Sequence, residues 1–206
     1  MDITLFLSLL GFAFATTMTP GPNNFLLMSS GALFGWRRTV IHIIGVQLGF
    51  VAMLVASVFG LGVIMQNQPW LVTGVKVLGA IWLFWLALQF FIAARNMDKV
   101  SEISGIKARS RPFNLHEAAL FQLANPKALV MSISSAGVYI GLADAAAMRA
   151  LIIGGTFFCF GIVSSTTWTL AGSFLNRYMS SGRSAVILNL VMGLLLAATA
   201  LVILRY

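Results

Sequence analysis

The stretch Thr19-Pro20-Gly21-Pro22-Asn23-Asn24 interrupts an otherwise apolar run from about residue 4 to residue 34. Two prolines around a glycine cannot continue an α-helix, because each proline lacks the N–H that would bond the preceding turn and its ring clashes there. About 15 helical residues precede the break, which places it roughly 22 Å along the helix axis. In a bilayer that depth lies well inside the hydrocarbon. Freed backbone groups persist there only when buried in protein or lining a watery cavity. The carbonyls of Ala15, Thr16, Thr17 and Met18 are expected to lose their helical partners. A new helix is expected to follow, with Thr19 as its cap and Pro20 or Pro22 in its first turn.

The composition makes a membrane the natural setting. Hydrophobic residues are 59% of the 206, charged residues 9%, and the mean hydropathy is +0.94. A soluble globular chain is about 25% charged, and 13 basic plus five acidic side chains cannot cover a water-facing surface. The first run lacks the basic opening of a signal peptide, since Asp2 is its only charge before Arg37, so it reads as a retained membrane segment. Apolar runs at 4–34, 40–65, 70–93, 116–140, 149–172 and 184–204 give six expected spans of one membrane domain, 1–206. The net charge of +8 belongs to the short loops, and no nucleic-acid partner is expected. Arg37 and Arg38, then Arg95, Lys99, Lys107, Arg109 and Arg111, then Arg177 and Arg183 follow spans one, three and five. Arg149 and Arg205 stand opposite. Lys/Arg-rich loops stay cytoplasmic, so the loop at 94–115 is expected inside and both termini outside.

Three spans per half make the second half enter from the opposite face, an inverted repeat, with repeat 1 over about 1–93 and repeat 2 over 116–206. Thr19-Pro20-Gly21 has a counterpart in Asn125-Pro126-Lys127 of span four, and Gly79 one in Gly193. Asn125 suits a cap and Pro126 the first helical position. Inverted halves would bring both new helix N-termini to the midplane. Each contributes about half a positive charge, and Lys127 adds a full one. Such a place suits a carboxylate, while orphaned carbonyls with Asn23 and Asn24 suit an ammonium group. A zwitterionic amino acid fits both, with Gln122 and Gln47 as further candidates for the path. The alternatives for Lys127 and Lys76 are side chains that snorkel to the interface. Ser164, Ser165, Thr166, Thr167 and Thr169 either line the path or bond their own helix.

Thr-Pro-Gly-Pro-Asn in span one and Asn-Pro-Lys-Ala at 125–128 resemble the LysE/RhtB exporters of amino acids, over nearly the whole chain. Gly45-x-x-x-Gly49 and Lys76-Val-Leu-Gly-Ala80 take part in the likeness. The doubled Asn23-Asn24 and Trp168-Thr-Leu-Ala-Gly172 are similar to the branch exporting cysteine and O-acetylserine. The resemblance implies efflux of amino acids or their derivatives, driven by the proton motive force across a bacterial inner membrane. An enzyme is not expected: there are two histidines, no His-Glu-x-x-His motif and no deep pair of carboxylates. No cofactor or metal is expected either. Cys159, the one cysteine, cannot form an internal disulfide and is expected to pack in an apolar run. His42 is read either as a titrating group or, preferably, as part of the Arg37–Arg38 interface. A homodimer joined through glycines is allowed, and a passive channel or a non-transporting membrane subunit is the rival reading.

Overall fold

Asp2 starts the first helix, its carboxylate accepting from the N–H groups of Thr4 (2.8 Å) and Leu5 (3.1 Å). In the computed structural model, which describes residues 2–61, 64, 67–96, 111–179 and 183–205, that helix is α1 (Ile3–Met18). Then follow α2 (Pro22–Phe34), α3 (Trp36–Ala56), α4 (Pro69–Asn96), α5 (Leu115–Phe121), α6 (Pro126–Val138), α7 (Ala146–Met179) and α8 (Arg183–Arg205). No strand occurs among the described residues. Trp36–Gly60 and Ala146–Leu175 are each long and apolar enough to cross a membrane. So are α1 and α2 taken together, bent by 52° at their break. Val77–Ile92 and Asn189–Val202 are shorter apolar helices.

Local chemistry explains the ends. Gly35 turns α2 into α3 at φ 79, a left-handed conformation that favours glycine. Thr39 ties that turn by donating to the Gly35 carbonyl at 2.9 Å. Within span two, read as the apolar run 40–65, α3 gives way to a π-turn, Ser57–Leu61, with a kink at Gly60, φ 117. At α5, Asn114 and Glu117 form a reciprocal capping box, and both Arg111 nitrogens hold the Glu117 carboxylate at 2.8 and 3.1 Å.

The packing crosses over between the halves. The broken pair α1/α2 lies on α7, and the broken pair α5/α6 lies on α3, so each rests on the long helix of the other half. The third helices of each half, α4 and α8, pack on one another. At the α2–α7 crossing, Gly31 meets the backbone of Thr169 and Gly172 that of Met28. Gly45 and Gly49 of α3 seat against Leu115, Ala118 and Ala119 of α5. These glycines are thus occupied inside the chain, not on a face between copies. Gly79 and Gly193 do different work: the first lets α4 approach Ala124 and Pro126, the second makes room for Phe91.

Two apolar clusters form the core. One gathers Phe25, Leu26, Val46, Leu83, Phe113, Phe121 and Leu196 from α2, α3, α4, α5, α8 and the approach to α5. The other gathers Leu9, Phe50, Met53, Leu54, Leu129, Tyr139 and Phe157 from α1, α3, α6, α7 and the end of α6. Val46 and Phe50, one turn apart on α3, belong to different clusters, with Gln47 between them. His42 is buried and stacks on Phe113 with ring centroids 5.0 Å apart, so the expected place among the interfacial arginines is not where it lies. Cys159 is exposed on α7, contrary to the packing role expected for it. The Lys76 side chain lies outside the described part.

A Cβ at residue 172 would collide with the Met28 backbone, whereas one at Gly155 meets nothing within 4 Å. Gly172→Ala should therefore cost about 1–3 kcal/mol by forcing the helices apart. Gly155→Ala should be neutral or gain up to about 1 kcal/mol of helix propensity. Thermal unfolding of the two variants in detergent checks the opposite signs.

Candidate functional site

The break in the first helix is completed by side chains. Pro20 and Pro22 have no N–H, so the Thr16 and Met18 carbonyls have no donor four residues on. Thr19 ends α1, with its own N–H on the Ala15 carbonyl at 3.0 Å, and its hydroxyl turns back to that carbonyl too. It does not cap α2, although the sequence led to that expectation; Gly21 stands at the cap position. Gly21, in extended backbone, precedes Pro22 and offers no side chain to the first turn of α2. The Thr17 carbonyl accepts from Asn24 Nδ2 at 3.0 Å and from Ser164 Oγ of α7 at 2.7 Å. The Thr19 carbonyl accepts from Asn24 Nδ2 at 2.9 Å and from Lys127 Nζ.

The second break is built differently. The chain tightens after α5 into successive short turns, Gln122 to Ala124, before Asn125 and Pro126 start α6. Asn125 accepts from the Ala128 N–H at 3.4 Å, as its capping role requires. Lys127 does not snorkel along α6. It reaches across to the Thr19 carbonyl, and its stem passes so near Gly21 that a Cβ there would stand 2.8 Å from Lys127 Cδ. A second link joins the halves: Asn23 Nδ2 donates to Gln122 Oε1 at 2.6 Å and Gln122 Nε2 to Asn23 Oδ1 at 3.1 Å.

Beside these links lies a half-open cavity of about 60 Å³ between the two apolar clusters. One water needs about 10–15 Å³ on such a scale, so the space suits a handful of waters or a small amino acid. Of the residues expected from the sequence, Gly21, Asn23, Asn24, Asn125 and Lys127 line it. Thr19 and Pro20 are exposed beside it, and Pro22, Pro126 and the fully buried Gln122 support it from behind. Gln47, Ser164 and Ser165 are on the wall, with Gln47 Nε2 donating to Ser165 Oγ at 2.9 Å. Thr166, Thr167 and Thr169 are not; Thr167 and Thr169 bond carbonyls of their own helix.

Sequence reasoning missed Thr16, Thr17, Phe50, Met131, Phe157 and Gly161 as wall residues. Gly161 had a signal of sorts, being a glycine inside a long apolar helix; it stands where a Cβ would strike the Gln47 amide. Lys127 is the one charged side chain on the described wall, and no carboxylate faces it there. Among the described residues no cluster able to hold a metal occurs.

Removing one partner of the amide pair would leave the other buried and short of a bond. Asn23→Ala should cost about 1–3 kcal/mol for that reason. Adding Gln122→Ala should cost less than the sum of the two single changes, and a double-mutant cycle of unfolding in detergent checks it.

The family model for the LysE type translocator matches residues 14–206. A cysteine/O-acetylserine efflux protein of Escherichia coli strain K12 is 28% identical over 204 residues, 97% of each chain. An uncharacterized membrane protein of Vibrio cholerae serotype O1 is 25% identical over 193 residues, 94% of this chain and 93% of the relative. No solved structure matches the chain. With both helix breaks inside the matched region, the chain belongs to the LysE-type translocator family, whose members are transporters and not enzymes.

Proposed function

We propose that this membrane protein exports small amino acids or their derivatives, of the size of cysteine or O-acetylserine, across the bacterial inner membrane. The carrying observation is that two helix breaks from opposite halves meet at one cavity. The Lys127–Thr19 and Asn23–Gln122 links join them there, with apolar clusters on either side. The first turn of α2 receives no side-chain cap and faces the cavity through Gly21, Asn23 and Asn24, which suits a carboxylate. The carbonyl end of α1 faces it through Thr16 and Thr17, which suits an ammonium group. No carboxylate on the described wall waits for a second positive charge, so lysine and arginine are poorer substrates than neutral amino acids.

In this reading the chain is one membrane domain of six spans. Residues 1–93 and 116–206 are inverted repeats, both termini are outside and the loop at 94–115 is cytoplasmic. The crossed packing of each broken helix on the other half's long helix supports the repeat. Transport proceeds by alternating access, one half rocking so that the apolar clusters open in turn, with the proton gradient as the driving force. A homodimer is not needed for the site, since both breaks come from one chain.

Counterflow of a labelled panel (cysteine, O-acetylserine, threonine, homoserine, leucine, lysine and arginine) into proteoliposomes tests the proposal. Saturable exchange of small neutral members, with uphill movement when a pH gradient is imposed, is the expected result. Flux that never runs uphill would mean a channel. Pro20→Ala with Pro22→Ala, which restores N–H donors to α1, should reduce exchange at least tenfold; undiminished exchange would remove the break from the mechanism.

A further inference from the structure

Lys127 was read from the sequence as the partner of the substrate's carboxylate, but its ammonium is placed on the opposite kind of group. Nζ donates to the Thr19 carbonyl, at the negative end of the α1 dipole, alongside Asn24 Nδ2 on the same oxygen. That is the end of the break where the substrate's own ammonium is expected. We infer that Lys127 is an internal stand-in for the substrate ammonium, and that the two compete for the α1 carbonyl end, making Lys127 the proton carrier of an amino acid/proton antiport. The inference rests on the export reading above and deepens it.

Competition gives coupling the right sign. Two ammonium groups cannot share one small cavity whose described wall holds no carboxylate. When the substrate ammonium takes the carbonyl end, Nζ gives its proton to cavity water on the cytoplasmic side, and the amine stays neutral while the substrate crosses. After release outside, Nζ takes a proton from that side and returns to Thr19, so one proton enters for each zwitterion that leaves. A Lys127 that gripped the carboxylate would do the reverse, binding substrate and proton together, and would drive uptake.

No other described group is placed to do this. α2 carries no ionisable side chain, and Lys127 is the only one on α6. On α3, Arg37 and Arg38 lie exposed in the first turn and His42 is buried against Phe113, off the cavity wall. On α7, Arg149 donates to the Ala143 and Asp144 carbonyls, and Cys159 is exposed. On α5, His116 is exposed and Glu117 is held by Arg111. On α1, only the capping Asp2 is charged.

The test is the sign of a pH dependence. Equilibrium binding of labelled, reduced cysteine to the full chain in detergent is measured between about pH 5.5 and 7.5, where the ligand's amine and thiol keep their protons. Expected is an affinity that tightens as pH rises, by up to about tenfold per unit, with a proton released into weak buffer on binding. Lys127→Met should flatten the slope and abolish the release. Lys127→Arg, which cannot give up its proton, should weaken binding at every pH. A wild-type affinity that is flat or loosens with rising pH overturns the inference, as does a slope that persists in Lys127→Met and so belongs to another group such as His42. Should Lys127→Met fail to fold, Lys127→Gln takes its place with the same expected loss of slope and proton release. Export can survive a wrong sign; a wild-type chain that neither binds nor exchanges cysteine overturns the inference, and if the whole counterflow panel is also inert, the export reading falls with it.

Discussion

A backbone carbonyl inside a bilayer has no water to turn to, and that constraint organises this protein. Pro20 and Pro22 withdraw two donors from α1, and the bend carries the remaining amides away from their acceptors. The structure meets part of the deficit with side chains: Asn24 donates to the Thr17 and Thr19 carbonyls, Ser164 to the first and Lys127 to the second. Two of these three donors come from elsewhere in the chain, so satisfying the break also assembles the cavity. A polar place at the junction of apolar helices follows from one local defect.

The defect itself was legible because its cause is local. A proline has no N–H wherever it sits, so both breaks and the helix start at Pro126 could be read directly from the residue string, while the start of α2 was left between Pro20 and Pro22. The glycines of α3 likewise announced close packing, although not against which helix. Partners were another matter. Asn23 and Gln122 stand 99 residues apart and Thr17 and Ser164 147 apart, and nothing in one residue names the other at such separations. The wall residues of α1 escaped for a subtler reason. Thr16 and Thr17 do turn their hydroxyls back to Phe12 and Ala13, as threonines in helices usually do, and still present the rest of the side chain to the cavity. The bland reading of a hydroxyl and its place on the wall are compatible.

Two of the sequence readings share one origin. Thr19 was given to α2 because capping residues precede helices, yet the extended Gly21 intervenes and leaves Thr19 with α1. Lys127 was paired with a negative group because charge suggests its opposite. The nearest strong acceptor is instead a carbonyl that the first break had exposed. Both readings treated each break as complete in itself, when the second supplies what the first lacks.

Crossed packing also has a temporal side. Thr17 waits for Ser164, made 147 residues later, and at about 5–20 residues per second that is roughly 7–30 s of synthesis. During that interval the first broken helix has only Asn24 to serve its Thr17 and Thr19 carbonyls, and α7, on which it will rest, does not yet exist. The insertion machinery therefore has to shelter the amino-terminal half, or leave it at the wet edge of the membrane, until the carboxy-terminal half emerges. On these contacts neither half completes its own polar bonds, since the first break needs Lys127 and Ser164 from the second half.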